Sequence, residues 1–290
     1  MLMMLAIVVV SSCDKVEGPY KEAVVVNDFC TTGIEDSVTH RKVLVEDYTG
    51  HLCGNCPAGG EYLNDTLKSI YNHCLVVISV HAGYFAETCP PRSLPPGAPT
   101  GSFATDFRCQ AGTDWDNFFG ISATGNPKGM VNRINYPSGT QSLSKDAWAP
   151  SVATELAKKA DAKITIENTY NSSSRNVTAN VKTSFLSNLT GNYKLQVVIT
   201  EDSIIDWQEW YNHTPELVPD FHHHHILRGA LNSSFGETIV TGSVSAGDAV
   251  TKWYNLTVDN AWVAGHCSIV AFVYDDTTKE VIQVEEKSIQ

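Results

Sequence analysis

Two hydrophobic periods divide this chain. Lys42–Tyr48 is a short run of mostly apolar, β-favouring residues. Leu75–Val80 is apolar almost without interruption, which suits a central strand buried on both faces. Between them, Ala58–Tyr71 has helical spacing, with Tyr62, Leu63, Leu67 and Ile70 as the apolar stripe and Pro57 in the first turn. Lys128–Arg133 predicts another strand and Ala149–Ala160 a helix that closes this α/β part. Tyr84 to about Ala123 follows neither period. It holds Pro90, Pro91, Pro95, Pro96 and Pro99, and predicts an irregular insertion over one end of the sheet with a short helix near Asp114–Phe119.

From Ala162 onward the period is two. Runs at 164–169, 176–185, 193–200, 238–244, 249–258, 268–274 and 280–286 alternate apolar and polar positions between Asn, Gly and Ser turns. That pattern predicts an antiparallel β-sandwich of immunoglobulin-like kind. Cys267 is the lone cysteine in this part, so no hallmark disulfide supports an antibody-type domain. The expected division is an α/β domain over 39–160, with its insertion at about 84–123, and an all-β domain over 161–290.

The N-terminus adds a location. Met1 to Ser12 carries an apolar run too short to cross a bilayer as a helix but suited to an export signal. Val10-Ser11-Ser12-Cys13 resembles a bacterial lipobox, which implies lipidation of Cys13, a signal over 1–13 and a tether over 14–38. Several acyl chains on one residue would anchor stably. The 290 residues carry a formal net charge of −12. Such a surface repels phosphate backbones, so nucleic acid is not an expected partner.

Export also sets the redox context. Beyond Cys13 there are seven cysteines, an odd number, in a compartment where disulfides persist. Cys53-Gly-Asn-Cys56 falls between the first strand and the helix. A thiolate at a helix N-terminus is stabilised by the dipole and free N–H groups, and the CxxC spacing lets the second sulfur resolve a mixed disulfide. In this reading Cys53 attacks and Cys56 resolves. Two other readings stay open: a permanent disulfide, and half of a zinc site, although no second CxxC supplies the remaining ligands. Cys89 and Cys109 flank the Pro-rich insertion, and a bridge between them is a candidate staple. His222–His225 occupies a strand-like stretch where alternate side chains point to opposite faces, so at most two could share a metal. Packing is the preferred reading there, and neither a metal nor a cofactor is expected.

Val45-Glu-Asp-Tyr-Thr-Gly-His-Leu-Cys-Gly-Asn-Cys-Pro57 resembles the active-site stretch of the thioredoxin superfamily. The resemblance implies a thioredoxin-like N-terminal domain. It puts Asp47 where that family has a buried proton-transfer acid, and Pro127 where it has a cis-proline facing the disulfide. The alternatives are a solvated strand end or a loop hydrogen bond for Asp47 and an ordinary turn for Pro127. Leu52 stands where the family usually has Trp before the first cysteine.

Over about 42–290 the chain resembles the outer-membrane-protein-28-related lipoproteins of Bacteroidetes-type bacteria. The lipobox, the CxxC stretch, His224-His-Ile-Leu-Arg-Gly-Ala230 and Val270-Ala-Phe-Val-Tyr-Asp-Asp-Thr-Thr-Lys-Glu-Val-Ile-Gln283 carry that resemblance. It implies an outer-membrane location, held by lipid on Cys13. Two functions follow. One is thiol–disulfide exchange with envelope proteins. The other is a non-catalytic surface or adhesion role, with a structural CxxC disulfide and envelope or surface proteins or glycans as partners.

Overall fold

The computed structural model describes Cys30 and residues 39–290. Cys13, the signal over 1–13 and the tether over 14–38, apart from Cys30, lie outside the described residues. Strands β1 (Val43–Thr49), β2 (Leu75–His81) and β3 (Lys128–Val131) belong to the first part. The helix after β1, here α1, runs in three consecutive pieces: Pro57–Glu61, a π-wound Tyr62–Leu67, and Lys68–Tyr71. Helix α2 is Gln110–Phe119 and α3 is Lys145–Leu156. The second part is all β: β4 (Ala162–Asn171), β5 (Asn176–Phe185), β6 (Leu189–Thr190), β7 (Tyr193–Glu201), β8 (Ile204–Glu209), β9 (Leu217–His223) and β10 (Ile226–Ala230). It continues with β11 (Glu237–Val240), β12 (Ser243–Val244), β13 (Ala249–Thr257), β14 (Cys267–Asp275) and β15 (Val281–Ser288).

One sheet runs through both parts. Its order is β15-β14-β7-β10-β2-β1-β3, with β11 added on β7. β1 and β2 are parallel, β3 is antiparallel to β1, and β10 joins β2 through Ile226 beside Ser79. The expected boundary near residue 160 is therefore not a break in the sheet. Strand alternation decides what each face sees. Leu44, Tyr48, Val76, Ile78, Val198, Leu227, Val270 and Phe272 share one continuous apolar layer beneath α2. On the opposite face, Val43, Val45, Leu75 and Val77 pack against Leu63, Leu67 and Tyr71 of α1 and Trp148 and Val152 of α3. Farther along that same face, Leu195, Val197, Ile199, Ile269, Ala271 and Val273 meet Ile164, Ile166, Val177, Ala179 and Val181 of the three-stranded sheet β13-β5-β4.

Three local expectations change. The π-wound middle of α1 shifts its phase, so the inward stripe reads Leu63, Leu67, Tyr71 while Ile70 turns outward at 37% exposure. Helix α3 begins four residues before the expected start, because Trp148 is a buried anchor, and it carries Pro150 inside. Strand β3 stops at Val131, where Asn132 and Arg133 take positive φ values of 45° and 53°. That turn swings Arg133 inward. Its guanidinium donates to both oxygens of Glu46, at 2.9 and 2.7 Å, among the rings of Trp115, Phe119, Phe272 and Tyr274.

Among the described residues the cysteines pair as Cys30–Cys74 and Cys53–Cys56, leaving Cys89, Cys109 and Cys267 free. The candidate Cys89–Cys109 staple is thus not formed. Cys89 turns into a small cluster with Leu52 and Phe103, whereas Cys109 caps α2 by accepting from Gly112 N–H and packs on the main core. The insertion has its own apolar anchors, Phe103 and Phe107, both 1% exposed, and needs no bridge. Burial pushes all three free thiols above the ordinary cysteine range.

Candidate functional site: a covered CxxC and its cavity

Asp47 and Glu46 are neighbours on β1 and so point to opposite faces. Glu46 meets Arg133 in the main core. Asp47 faces the α1 side together with Ser79 and His81 of β2, and all three line a cavity of about 410 Å³ at the C-terminal ends of the two parallel strands. Cys56 and Pro57, at the start of α1, line it as well; Cys53 does not. Cys56 itself occupies the N-cap position, and its carbonyl accepts from Gly59 and Gly60 N–H at 2.9 and 3.1 Å. Cys53 lies one turn earlier, its N–H donating to the Gly50 carbonyl at 3.0 Å. The helix starts at Pro57, the residue expected in its first turn, so Cys56 rather than Cys53 sits at its N-terminus.

Asp47 is buried and its Oδ1 has no hydrogen-bond partner. Desolvation raises its pKa to about 7, so near neutral pH it can both accept and release a proton. The Asn126–Pro127 peptide bond is cis. Pro127 packs on α1 at Gly59, where an added Cβ would approach the Pro127 Cβ to 3.1 Å.

The hairpin β8–β9 forms the roof, and this was the element missed in the sequence. Both cysteines are only 2% exposed beneath it. Glu209 and Tyr211 donate backbone N–H groups to the carbonyls of His51 and Gly54, at 2.9 and 2.8 Å. The Gln208 amide donates to the Cys53 carbonyl at 3.1 Å. The Tyr211 ring lies so close to Gly54 that no side chain fits there, which explains the glycine inside the CxxC. The signal for this hairpin was present: two β-rich runs, Ile204–Glu209 and Leu217–His223, flank a turn with Asn212 and Pro215.

The histidine run divides between faces. His223 and His225 are buried and His222 and His224 are not; His224 pairs with Asp202 at 2.6 Å. His223 lies beside His81 and Phe107, with centroids at 5.7 and 4.9 Å. Burial pushes its pKa down to about 3, and it lowers His81 well below the ordinary range. Both rings are therefore neutral. Among the described residues no group of three or more His, Cys, Asp or Glu is placed to hold a metal ion. None of the helices described is long and apolar enough to cross a membrane.

Comparison with known families supplies an identity. A family described as outer membrane protein Omp28 matches residues 115–290, more than half of the chain. The chain belongs to the Omp28 family. It is accordingly an outer membrane protein. The matched span holds the hairpin and Pro127 but begins after Cys56, so Omp28 membership leaves the role of the CxxC open. No curated protein matches the sequence. Among solved structures, HBP35 of Porphyromonas gingivalis aligns with a TM-score of 0.61 at 16% identity, covering 88% of this chain and 77% of that one. At that identity the likeness concerns the fold. A domain of the outer membrane lipoprotein Omp28 from Porphyromonas gingivalis is 27% identical over 45% of this chain and 89% of that domain, with a TM-score of 0.32.

Proposed function

We propose that this Omp28-family lipoprotein exchanges thiols and disulfides in the cell envelope, anchored through lipid on Cys13. The catalytic unit is a thioredoxin-like domain over 39–160, joined to an immunoglobulin-like sandwich over 161–290. Its order of strand, CxxC, helix, parallel strand, cis-Pro127 and antiparallel strand supports that reading. Cys53 and Cys56 form the redox pair, Asp47 carries the proton and Pro127 shapes the surface beside the pair.

The observation that carries the reading is Asp47, a lone buried carboxyl with a pKa near 7 that opens onto the same cavity as Cys56. Burying such a group without a partner costs stability, and sites that tolerate the cost are enriched in function. The test is the reduction potential of the pair in the chain from Asp14 onward, equilibrated with glutathione and dithiothreitol. A value of roughly −270 to −180 mV marks a working exchange site. A value below about −300 mV marks a structural bridge and overturns the proposal.

One observation favours a second reading, in which the disulfide is fixed and the protein binds surface proteins or glycans. Both sulfurs lie under the hairpin, while Trp253 stands 67% exposed on the outer face of the three-stranded sheet. The same potential measurement separates the two.

A further inference from the structure

We infer that the cavity beside Cys56 is the substrate pocket of the redox pair and takes small thiols and disulfides that carry an ammonium group. The inference rests on the exchange reading above and goes on to name the substrate class.

The roof excludes a folded protein. Glu209, Tyr211 and Gln208 hold the hairpin to the CxxC loop, and both cysteines are 2% exposed. What remains is a cavity of about 410 Å³, within the range that binds small ligands. Asp47, Glu61, Asp65 and Asp220 line it together with His81, His213, His222, His223 and His224, and no Lys or Arg does. Acidic residues alone would not make a site. Here the buried lining also presents unmatched acceptors. Asp47 Oδ1, Asn64 Oδ1 and His223 Nε2 have no partner. The His223 ring already bonds the backbone of Trp207 through its other nitrogen, so Nε2 offers a lone pair. His81 and His223 are held neutral by burial and do not offset the carboxylates. Trp210 and Phe221, with ring centroids 5.9 Å apart, add aromatic walls, which attract cations. Unpaired acceptors, carboxylates and aromatic faces together suit a donor-rich cation and disfavour an anionic thiol.

Cys56 lines the cavity and Cys53 does not, so the proposal places the mixed disulfide on Cys56 rather than on Cys53, the sulfur expected from the motif. In the reduced protein the Cys56 thiol passes its proton to Asp47. The thiolate attacks one sulfur of R–S–S–R, that bond breaks, and R–S⁻ leaves, taking the proton from Asp47 as R–SH. The Cys53 thiol then loses its proton and attacks Cys56 Sγ. The Cys56–S–S–R bond breaks, and the second R–S⁻ departs with that proton. The protein dithiol is oxidised to a disulfide and R–S–S–R is reduced to two R–SH.

The experiment compares three disulfides of different charge on the reduced full chain at pH 8: cystamine, bis(2-hydroxyethyl) disulfide and 3,3′-dithiodipropionate. Rates are normalised to those of a short unstructured CxxC peptide. Cystamine is expected to react at least about ten-fold faster than dithiodipropionate after normalisation, the smaller end of what a charged cleft achieves. The triple variant Glu61→Gln, Asp65→Asn, Asp220→Asn, altered at exposed positions, should bring the ratio back towards one. In Cys53→Ser, peptide mapping should place one cysteamine on Cys56, faster than Cys53 is labelled in Cys56→Ser. A peptide-like order of rates, or faster labelling of Cys53, overturns the inference while leaving exchange intact. Failure of all three disulfides to oxidise the pair overturns the exchange reading itself.

Discussion

The two ends of the eight-stranded sheet use the same backbone and opposite interiors. Around β7 and β14, the face toward the three-stranded sheet is filled by Leu195, Val197, Ile199, Ile269, Ala271 and Val273, and the buried carboxylate at the end of β7, Glu201, is paired with Arg228 at 2.8 Å. Around β1 and β2, the strands carry Glu46, Asp47 and His81 inward. Glu46 is neutralised by Arg133, but Asp47 and His81 each keep a ring or carboxyl atom without a partner. A purely apolar interior maximises burial, whereas unpaired ionisable groups cost free energy. The sandwich end thus holds the sheet together, and the β1–β2 end sets part of that stability aside for a reactive site.

The sharpest way to break this contrast is at Arg133. Arg133→Leu leaves Glu46 charged and buried, and should cost about 3–5 kcal/mol in urea unfolding. Replacing Glu46 with Leu in the same protein should recover most of the loss, since an apolar pair suits that layer. Absence of recovery would mean that the pair contributes more than mutual neutralisation.

Asp47→Asn should do the reverse and stabilise. Its folded pKa is raised from 3.8 to about 7. The stability it contributes is therefore present below pH 4 and lost as pH rises through 7. Removing the charge should gain about 2–4 kcal/mol at pH 8 and nothing below pH 4, while slowing exchange. A variant as unstable at pH 8 as the parent would assign Asp47 a compensating partner.

His223 and His225 titrate in the other direction. Both are pushed down to about 3. Their contribution is complete above pH 6.5 and is lost as pH falls towards 3, because the unfolded chain takes up the protons. At pH 5 each should cost about 2 kcal/mol relative to pH 7.5. His223→Phe should flatten the acid limb by one such increment. Thermal unfolding across that pH range measures it.

The smallest effect is expected at the far sheet. Trp253 is 67% exposed, so Trp253→Ala should change stability by less than about 0.5 kcal/mol and leave the potential of the pair unaltered. A larger change would show the outer face of β13 to be covered in solution.

Much of this organisation was legible beforehand. The period-two runs from Ala162 became β4, β5, β7 and β13 to β15 within a few residues, and the strand, CxxC and helix order held. Asp47 was singled out by the resemblance of the stretch around Cys53 to the thioredoxin superfamily, and the structure places it buried on β1 beside the same cavity as Cys56. The Cys89–Cys109 pairing failed because flanking positions in the chain say nothing about which way each thiol turns. Arg133 went unnoticed because its role depends on two consecutive residues with positive φ. The hairpin β8–β9 was unrecognised because its polar, aromatic residues pack on the CxxC loop more than a hundred positions earlier rather than on their own core.

The sequence by itself determined the local periods, the CxxC at a strand-to-helix turn and the acidic character of the chain. Those are properties of neighbouring residues, which spacing preserves. The tertiary structure alone decided that one sheet joins the two halves, that a hairpin roofs the disulfide, and that Cys56 rather than Cys53 opens onto a cavity. Each of these depends on which distant surfaces exclude water from one another, and that free energy is not written in any single segment.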